Sequence, residues 1–168
     1  MMTEINIHIV GIGNLGMSFL EGFKSLKDTT NLYLYENNIE TFKNFQSSYS
    51  VSKEIDQIEN GVLLLCIKPN NLNEFININK SKISDEVLIT SPIAGVSINY
   101  FENHFKNKVL RLMPNLAIKN NSGFIPYSKN YDEDYLYFIK KLNNLGQTNE
   151  YPEDCLLYTS PSPRDLMR

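Results

Sequence analysis

The stretch Ile5-Asn-Ile-His-Ile-Val-Gly-Ile-Gly-Asn-Leu-Gly16 decides the fold of this 168-residue chain. Its first six residues are mostly apolar and β-branched, which predicts a buried strand. The loop Gly11-Ile12-Gly13-Asn14-Leu15-Gly16 follows, and apolar residues at helical spacing begin at Leu15. A strand that enters a glycine-rich loop and then a helix is the typical start of a dinucleotide-binding βαβ unit.

The rest of the chain continues this alternation of strands and helices. Apolar runs predict further strands over 32–35, 62–67, 87–90 and 109–113, and a last strand over 123–127. Helical spacing predicts helices near 39–45, 72–78 and 98–105, and a final helix that starts near Tyr135 and stops at Gly146. This order predicts an α/β fold with a doubly wound, Rossmann-type sheet.

The composition argues against several classes of protein: nucleic-acid-binding, membrane, secreted and metal-binding proteins. The net charge of −3 gives no electrostatic reason to expect nucleic acid or an anionic membrane as a partner. The sequence shows neither a signal peptide nor a membrane span, so we expect a cytoplasmic protein. Two cysteines, Cys66 and Cys155, are too few for a disulfide framework, and no metal site is expected.

The glycine loop predicts a pyrophosphate site. Gly11 permits a tight turn, Gly13 leaves room for phosphates, and Gly16 lets the helix pack on its strand, while the helix N-terminus attracts negative charge. The alternative is a purely structural turn. Glu36, at the predicted end of the second strand, favours NAD(H) by hydrogen bonding to ribose hydroxyls, unless it is only a solvated loop acid. Lys53 could instead fold towards a 2′-phosphate, so NADP(H) and NAD(H) both stay open.

Four segments in register resemble one family. The glycine loop, Cys66-Ile67-Lys68-Pro69, Ser91-Pro-Ile-Ala94-Gly95-Val-Ser97 and Arg111-Leu-Met-Pro-Asn115 are together similar to the corresponding segments of pyrroline-5-carboxylate reductases. The resemblance covers roughly residues 5–154. It implies that a hydride passes from a nicotinamide cofactor to the imine carbon of a small cyclic substrate, which makes L-proline, with no protein nucleophile.

The resemblance also implies site residues. All four segments follow predicted strands and therefore converge on one crevice. Cys66, Ile67 and Lys68-Pro69, together with Ala94-Gly95, would line the path towards the nicotinamide, and Asn115 would lie near the nicotinamide and the substrate. The alternative for Lys68 is a solvated side chain, and for Arg111 and Asn115 a role in tying loops together. His8 and His104 are expected to be structural, and the Cys66 thiol is expected to be inert and not a nucleophile.

The C-terminus does not continue the resemblance. Residues 155–165, Cys-Leu-Leu-Tyr-Thr-Ser-Pro-Ser-Pro-Arg-Asp, match a one-frame translation of a transposon-end sequencing adapter. We therefore predict a dinucleotide-binding domain over 1–154 and a non-native tail over 155–168. In the family a helical domain follows, forms the homo-oligomer and supplies the substrate pocket. We expect that domain to be missing from this chain, so that the catalytic residues are unknown and the chain alone is inactive.

Two alternatives to this function stay open. One is another reductase of the β-hydroxyacid-dehydrogenase type with a similar glycine loop. The other is a non-enzymatic NAD(P)-binding relative of the late-competence type. The segment Thr90-Ser91-Pro92-Ile93 slightly favours this alternative.

Overall fold

The computed structural model describes residues 4–28, 30–46 and 49–159, and of residues 157–159 only the backbone. The strands are β1 (Ile5–Val10), β2 (Thr30–Tyr35), β3 (Val51–Ser52), β4 (Val62–Leu65), β5 (Leu88–Ser91), β6 (Val109–Leu112), β7 (Gly123–Lys129) and β8 (Gly146–Glu150). The helices are α1 (Asn14–Ser25), α2 (Ile39–Phe45), α3 (Pro69–Asn79), α4 (Ile98–Glu102), α5 (Leu136–Asn143) and α6 (Glu153–Thr159), with short 3-10 turns at Lys80–Lys82 and Leu116–Asn120.

The strands form one sheet in the order β3-β2-β1-β4-β5-β6-β7-β8. All neighbouring pairs are parallel except β6 and β7, which are antiparallel. The order reverses between β1 and β4, as in other doubly wound sheets, and ligands bind at such a switch point beyond the carboxyl ends of the strands. The predicted Rossmann-type fold is confirmed.

Two apolar layers cover the two faces of the sheet. Phe19, Leu20 and Phe23 of α1 pack with the buried apolar residues of α5 on one face. On the other face, α3 and α4 pack against the alternate residues of the same strands, as Leu72 and Phe101 show. Because β4 is covered on both faces, all four of its residues are buried, which explains its continuous apolar run.

Several predicted boundaries are wrong. The strand expected over 123–127 is not the last, because β8 follows it and pairs in parallel with β7. Gly146 therefore begins a strand, and α5 ends at Asn143. The two-residue strand β3 was not predicted. The strand expected over 62–67 ends at Leu65, since the chain turns into the crevice there.

The C-terminal segment is described only in part. Residues 155–159 continue α6, and Leu156 is buried. Residues 160–168 lie outside the described residues. The division into 1–154 and a non-native tail stays a prediction. No helix among the described residues is both long and apolar enough to cross a membrane.

Candidate functional site

The loops that leave β1, β2, β4, β5 and β6 meet at one edge of the sheet and enclose a crevice of about 810 Å³. It is lined by Gly11, Gly13, Asn14, Leu15, Glu36, Asn37, Asn38, Leu65, Cys66, Ile67, Lys68, Pro69, Asn71, Pro92, Ile93, Ala94, Pro114, Asn115 and Leu116. All residues that the sequence analysis predicts to bind the cofactor line the crevice, except Ile12, Gly16 and Gly95. The structure therefore brings the four family-like segments together.

Two glycines of the loop are required by the fold. Gly11 has a positive φ of 92°, and a Cβ on it would overlap the backbone carbonyl of Cys66. Gly16 is buried where α1 crosses the loop, and a Cβ there would overlap the carbonyl oxygen of Gly11. These close approaches hold α1 against the ends of β1 and β4. Gly16 therefore supports the crevice from below and does not line it.

Gly13 differs from the other two glycines. Its φ of −84° is accessible to any residue, and a Cβ built on it would have no atom within 4 Å. Nothing in the fold therefore requires a glycine at this position. The open space on its crevice side is what a phosphate group needs if it is to approach the backbone closely.

The N-terminus of α1 faces the same space. Gly13 is the N-cap residue, no side chain caps the helix, and its first turn contains no acidic residue. The first N–H groups of a helix have no partner inside the helix and carry partial positive charge, so they form a favourable place for an anion. The backbone at Gly13, Asn14 and Leu15 is thus suited to a pyrophosphate.

Glu36 connects the glycine loop to the β2–α2 loop. Its Oε1 accepts a hydrogen bond from the Ile12 N–H (2.9 Å), and its Oε2 accepts one from the Asn38 N–H (3.1 Å). This contact, together with burial of the Ile12 side chain in the core, explains why Ile12 does not line the crevice. Glu36 is half-buried at the crevice mouth, so it is not the freely solvated acid of the alternative prediction.

A second cavity of about 460 Å³ opens from Gly11 and Glu36 and runs between the 53–55 loop and α3. Lys53 lines this cavity, and its Nζ lies 5.0 Å from the centre of the Phe42 ring. A cation and a carboxylate therefore face the same cavity mouth. The geometry leaves both the ribose contact of Glu36 and a phosphate contact of Lys53 open.

The segment after β4 forms the opposite wall. Pro69 is the first residue of α3 and Lys68 its exposed N-cap residue, while Cys66 is half-buried beneath the glycine loop. Burial raises the pKa of the Cys66 thiol, which disfavours the thiolate, so Cys66 is suited to packing and not to nucleophilic attack.

The β5–α4 and β6–β7 connections close the far end of the crevice. Ala94 lines it, whereas Gly95 sits in an exposed turn with a positive φ of 78° and does not. The Asn115 amide oxygen accepts a hydrogen bond from the Phe124 N–H (3.2 Å). This bond ties the β6 exit to β7, as the structural alternative for Asn115 expects, and leaves the amide nitrogen of Asn115 as a donor at the crevice.

Some lining residues were missed by sequence reasoning. Asn37 and Asn38 directly follow Glu36, so their position after a strand end was a usable signal. Asn71 reaches the crevice from the first turn of α3, for which the sequence holds no specific signal. No cluster of three or more His, Cys, Asp or Glu side chains suited to a metal exists within the described ranges.

The fold and the crevice define a Rossmann-type α/β domain of the class that binds dinucleotides. No family model matches the chain. In sequence, the chain is 25% identical to the pyrroline-5-carboxylate reductase of Methanosarcina acetivorans over 92% of its own length and 62% of that enzyme. The resemblance that the four segments indicate is therefore confirmed.

Solved structures show the same fold. The pyrroline carboxylate reductase of Plasmodium falciparum, with NADP bound, superimposes with a TM-score of 0.76 at 19% identity, over 90% of this chain and 59% of that one. The prephenate dehydrogenase of A. aeolicus, in complex with NAD+, gives a TM-score of 0.70 at 14% identity, over 92% and 62%. The chain thus spans less than two thirds of the length of these relatives.

Proposed function

We propose that this chain is the dinucleotide-binding part of a reductase that uses NADPH or NADH to convert 1-pyrroline-5-carboxylate to L-proline. One observation carries the proposal. The four segments that resemble pyrroline-5-carboxylate reductases lie far apart in the sequence, yet all reach a single crevice at the carboxyl edge of the sheet. Shared packing alone would not require this, since loop residues make up at least half of each of the four segments.

The residues present fit a dinucleotide. Gly13 leaves space that the fold does not use, and the uncapped N-terminus of α1 faces that space. A pyrophosphate there would direct the adenosine half towards Glu36 and Lys53, and the nicotinamide half towards the segments after β4, β5 and β6. NADH and NADPH both remain candidates, because Glu36 could bind the ribose hydroxyls and Lys53 could bind a 2′-phosphate at the adenosine end.

Each part of the chain then has a defined task. When bound, the nicotinamide supplies a hydride that forms the new C–H bond at the imine carbon, and the imine nitrogen ends as the protonated amine. The backbone of the glycine loop holds the pyrophosphate, and Glu36 fixes that loop. Pro69, Ile93, Ala94 and Pro114 provide an apolar wall that excludes water from the nicotinamide end.

The domain division belongs to the same proposal. A helical domain beyond residue 154 would complete the substrate pocket and form a homo-oligomer, and the protein would act on a small imine in the cytosol with no nucleic-acid or membrane partner. We propose that residues 155–168 are not part of the natural protein. Sequencing the gene from independent DNA should show a different continuation after codon 154. An unchanged reading of 155–168 would contradict the assignment.

The activity is tested by genetic complementation. We expect the uninterrupted gene to restore growth of a proline auxotroph without proline, and the same gene carrying Gly16→Ala to fail, because that Cβ displaces α1 from the loop. Equal amounts of both proteins must be present in the cells. Absence of growth with the unmodified gene, despite folded protein, would favour a binding protein or a dehydrogenase with another substrate.

A further inference from the structure

Arg111 is a buried cation beneath the crevice. It lies on β6 with 1% of its surface exposed, in register with Ser91 of β5 and Ser128 of β7. Its Nη1 donates to Glu153 Oε1 (3.2 Å), while Nε and Nη2 have no hydrogen-bond partner within the described part of the chain. Since burial of a cation is costly unless it is paired, Arg111 depends on Glu153.

Glu153 makes a second contact through the same oxygen. Its Oε1 accepts a hydrogen bond from the Ile98 N–H at 2.6 Å. Ile98 is the first residue of α4, so this N–H has no acceptor inside its own helix. The carboxylate of the C-terminal helix thus holds both β6 and the start of α4.

These contacts border the loop 92–97, which we define as the β5–α4 loop. The loop begins after Ser91, beside Arg111 in the sheet, and ends at Ile98, on Glu153. Pro92, Ile93 and Ala94 of this loop line the crevice. The ion pair therefore holds the loop at its Ile98 end, and Arg111 lies on the strand next to the one from which the loop starts, while neither Arg111 nor Glu153 lines the crevice.

We propose that Arg111 and Glu153 are positioning residues that hold the β5–α4 loop in the conformation that receives the nicotinamide half of the cofactor. The inference rests on the proposed dinucleotide site. It makes the nicotinamide end of the crevice depend on Glu153, which lies at the C-terminal border of the proposed domain 1–154. The adenosine end, at Glu36 and Lys53, lies on the other side of the glycine loop and is independent of this pair.

The test compares two ligands that differ in the nicotinamide. Binding of NADH and of ADP-ribose, which lacks the nicotinamide, is measured by calorimetry on the 168-residue chain and its variants. For Glu153→Leu we expect NADH to bind at least about fivefold more weakly and ADP-ribose to change less than about twofold. Glu153→Gln keeps an acceptor for the Ile98 N–H and should retain most of the NADH affinity.

The double variant Arg111→Met/Glu153→Leu shows whether NADH affinity is lost because the β5–α4 loop moves or because the whole fold is less stable. It removes the buried unpaired cation, so its thermal midpoint should exceed that of Glu153→Leu, yet the Ile98 N–H still lacks its acceptor and NADH binding should stay weak. Recovery of NADH affinity together with the thermal midpoint would overturn the proposal. An equal loss of NADH and ADP-ribose binding in Glu153→Leu would also overturn it.

Hydrogen exchange gives a readout that needs no ligand. In Glu153→Leu the amides of the β5–α4 loop and Ile98 should exchange at least about tenfold faster, while those of the glycine loop stay unchanged. Unchanged exchange at Ile98 would refute the positioning role. If the unmodified chain binds neither nucleotide, the proposed function fails, and the exchange measurement still decides whether the pair holds the loop.

Discussion

Replacement of His8 by Phe should remove a large part of the acid sensitivity of the fold. His8 lies on β1 with 8% of its surface exposed, and its ring stacks on Tyr33 at a centroid distance of 4.6 Å. Its Nδ1 lies 2.9 Å from the Tyr35 hydroxyl. Burial lowers the pKa of His8 from 6.5 to about 4, because the charged ring would lose its hydration.

The sign and size of the effect follow from proton linkage. Between pH 6.5 and 4 the unfolded chain binds a proton at His8 and the folded chain does not, so stability is full above pH 6.5 and falls as the pH decreases. A pKa difference of about 2.5 units corresponds to a loss of about 3 kcal/mol once the pH is below 4. About 2 kcal/mol of this should already be lost at pH 5.

The assay is urea unfolding at several pH values between 7.5 and 4.5, for the unmodified chain and for His8→Phe. Phe keeps the stacking on Tyr33 but cannot bind a proton. Carboxylates titrate in both proteins, so the difference between the two curves isolates His8. We expect the free-energy difference to shift by about 2 kcal/mol in favour of the variant between pH 7.5 and 5. Parallel curves would mean that His8 binds its proton equally well in the folded and the unfolded chain.

Two further predictions concern the crevice. Gly16→Ala should lower the free energy of unfolding by about 1–3 kcal/mol, because its Cβ would overlap the Gly11 carbonyl, whereas Gly13→Ala should change it by less than about 0.5 kcal/mol. Both should weaken NADH binding at least about tenfold, measured by fluorescence; unimpaired binding to Gly13→Ala would mean that no phosphate approaches there. Glu36→Gln should shift the NADPH-to-NADH affinity ratio towards NADPH by about fivefold, since it removes a negative charge near a 2′-phosphate. A ratio that stays constant in paired titrations would exclude a role for Glu36 in cofactor choice.

The first βαβ unit is the part of the fold that the sequence predicts best. β1 has the predicted bounds, and α1 begins inside the glycine loop as expected. In this unit the local sequence pattern and the packing favour the same structure. Apolar alternation, glycine spacing and helical periodicity can each be recognised within a few neighbouring residues.

The missed strands depend on distant partners. β8 has the sequence Gly-Gln-Thr-Asn-Glu, which contains no apolar side chain, and it forms because the edge of β7 offers free backbone groups. The backbones of β7 and β8 approach each other closely at this end, since a Cβ on Gly146 would overlap the backbone of Gly123. β3 likewise depends on its pairing with Leu34 and Tyr35. Such strands cannot be predicted from local periodicity.

In the candidate site, too, some features could be predicted from the sequence and others depend on contacts between distant residues. Segments that follow strands could be placed at the crevice from sheet topology alone. The hydrogen bond from Ile12 to Glu36 and the ion pair of Arg111 with Glu153 join residues 24 and 42 positions apart. No spacing rule connects such residues, so these contacts emerge only from the folded chain.

Titration of the chain with NADPH and NADH decides whether the crevice is a dinucleotide site. We expect saturable binding of at least one of them at one site per chain, detected by fluorescence and calorimetry. That binding should be at least about tenfold weaker in Gly13→Ala, a variant that we expect to keep the stability of the unmodified chain. A folded chain that binds neither nucleotide at millimolar concentration, or a Gly13→Ala variant that binds as well as the unmodified chain, would show that the crevice is not a pyrophosphate site.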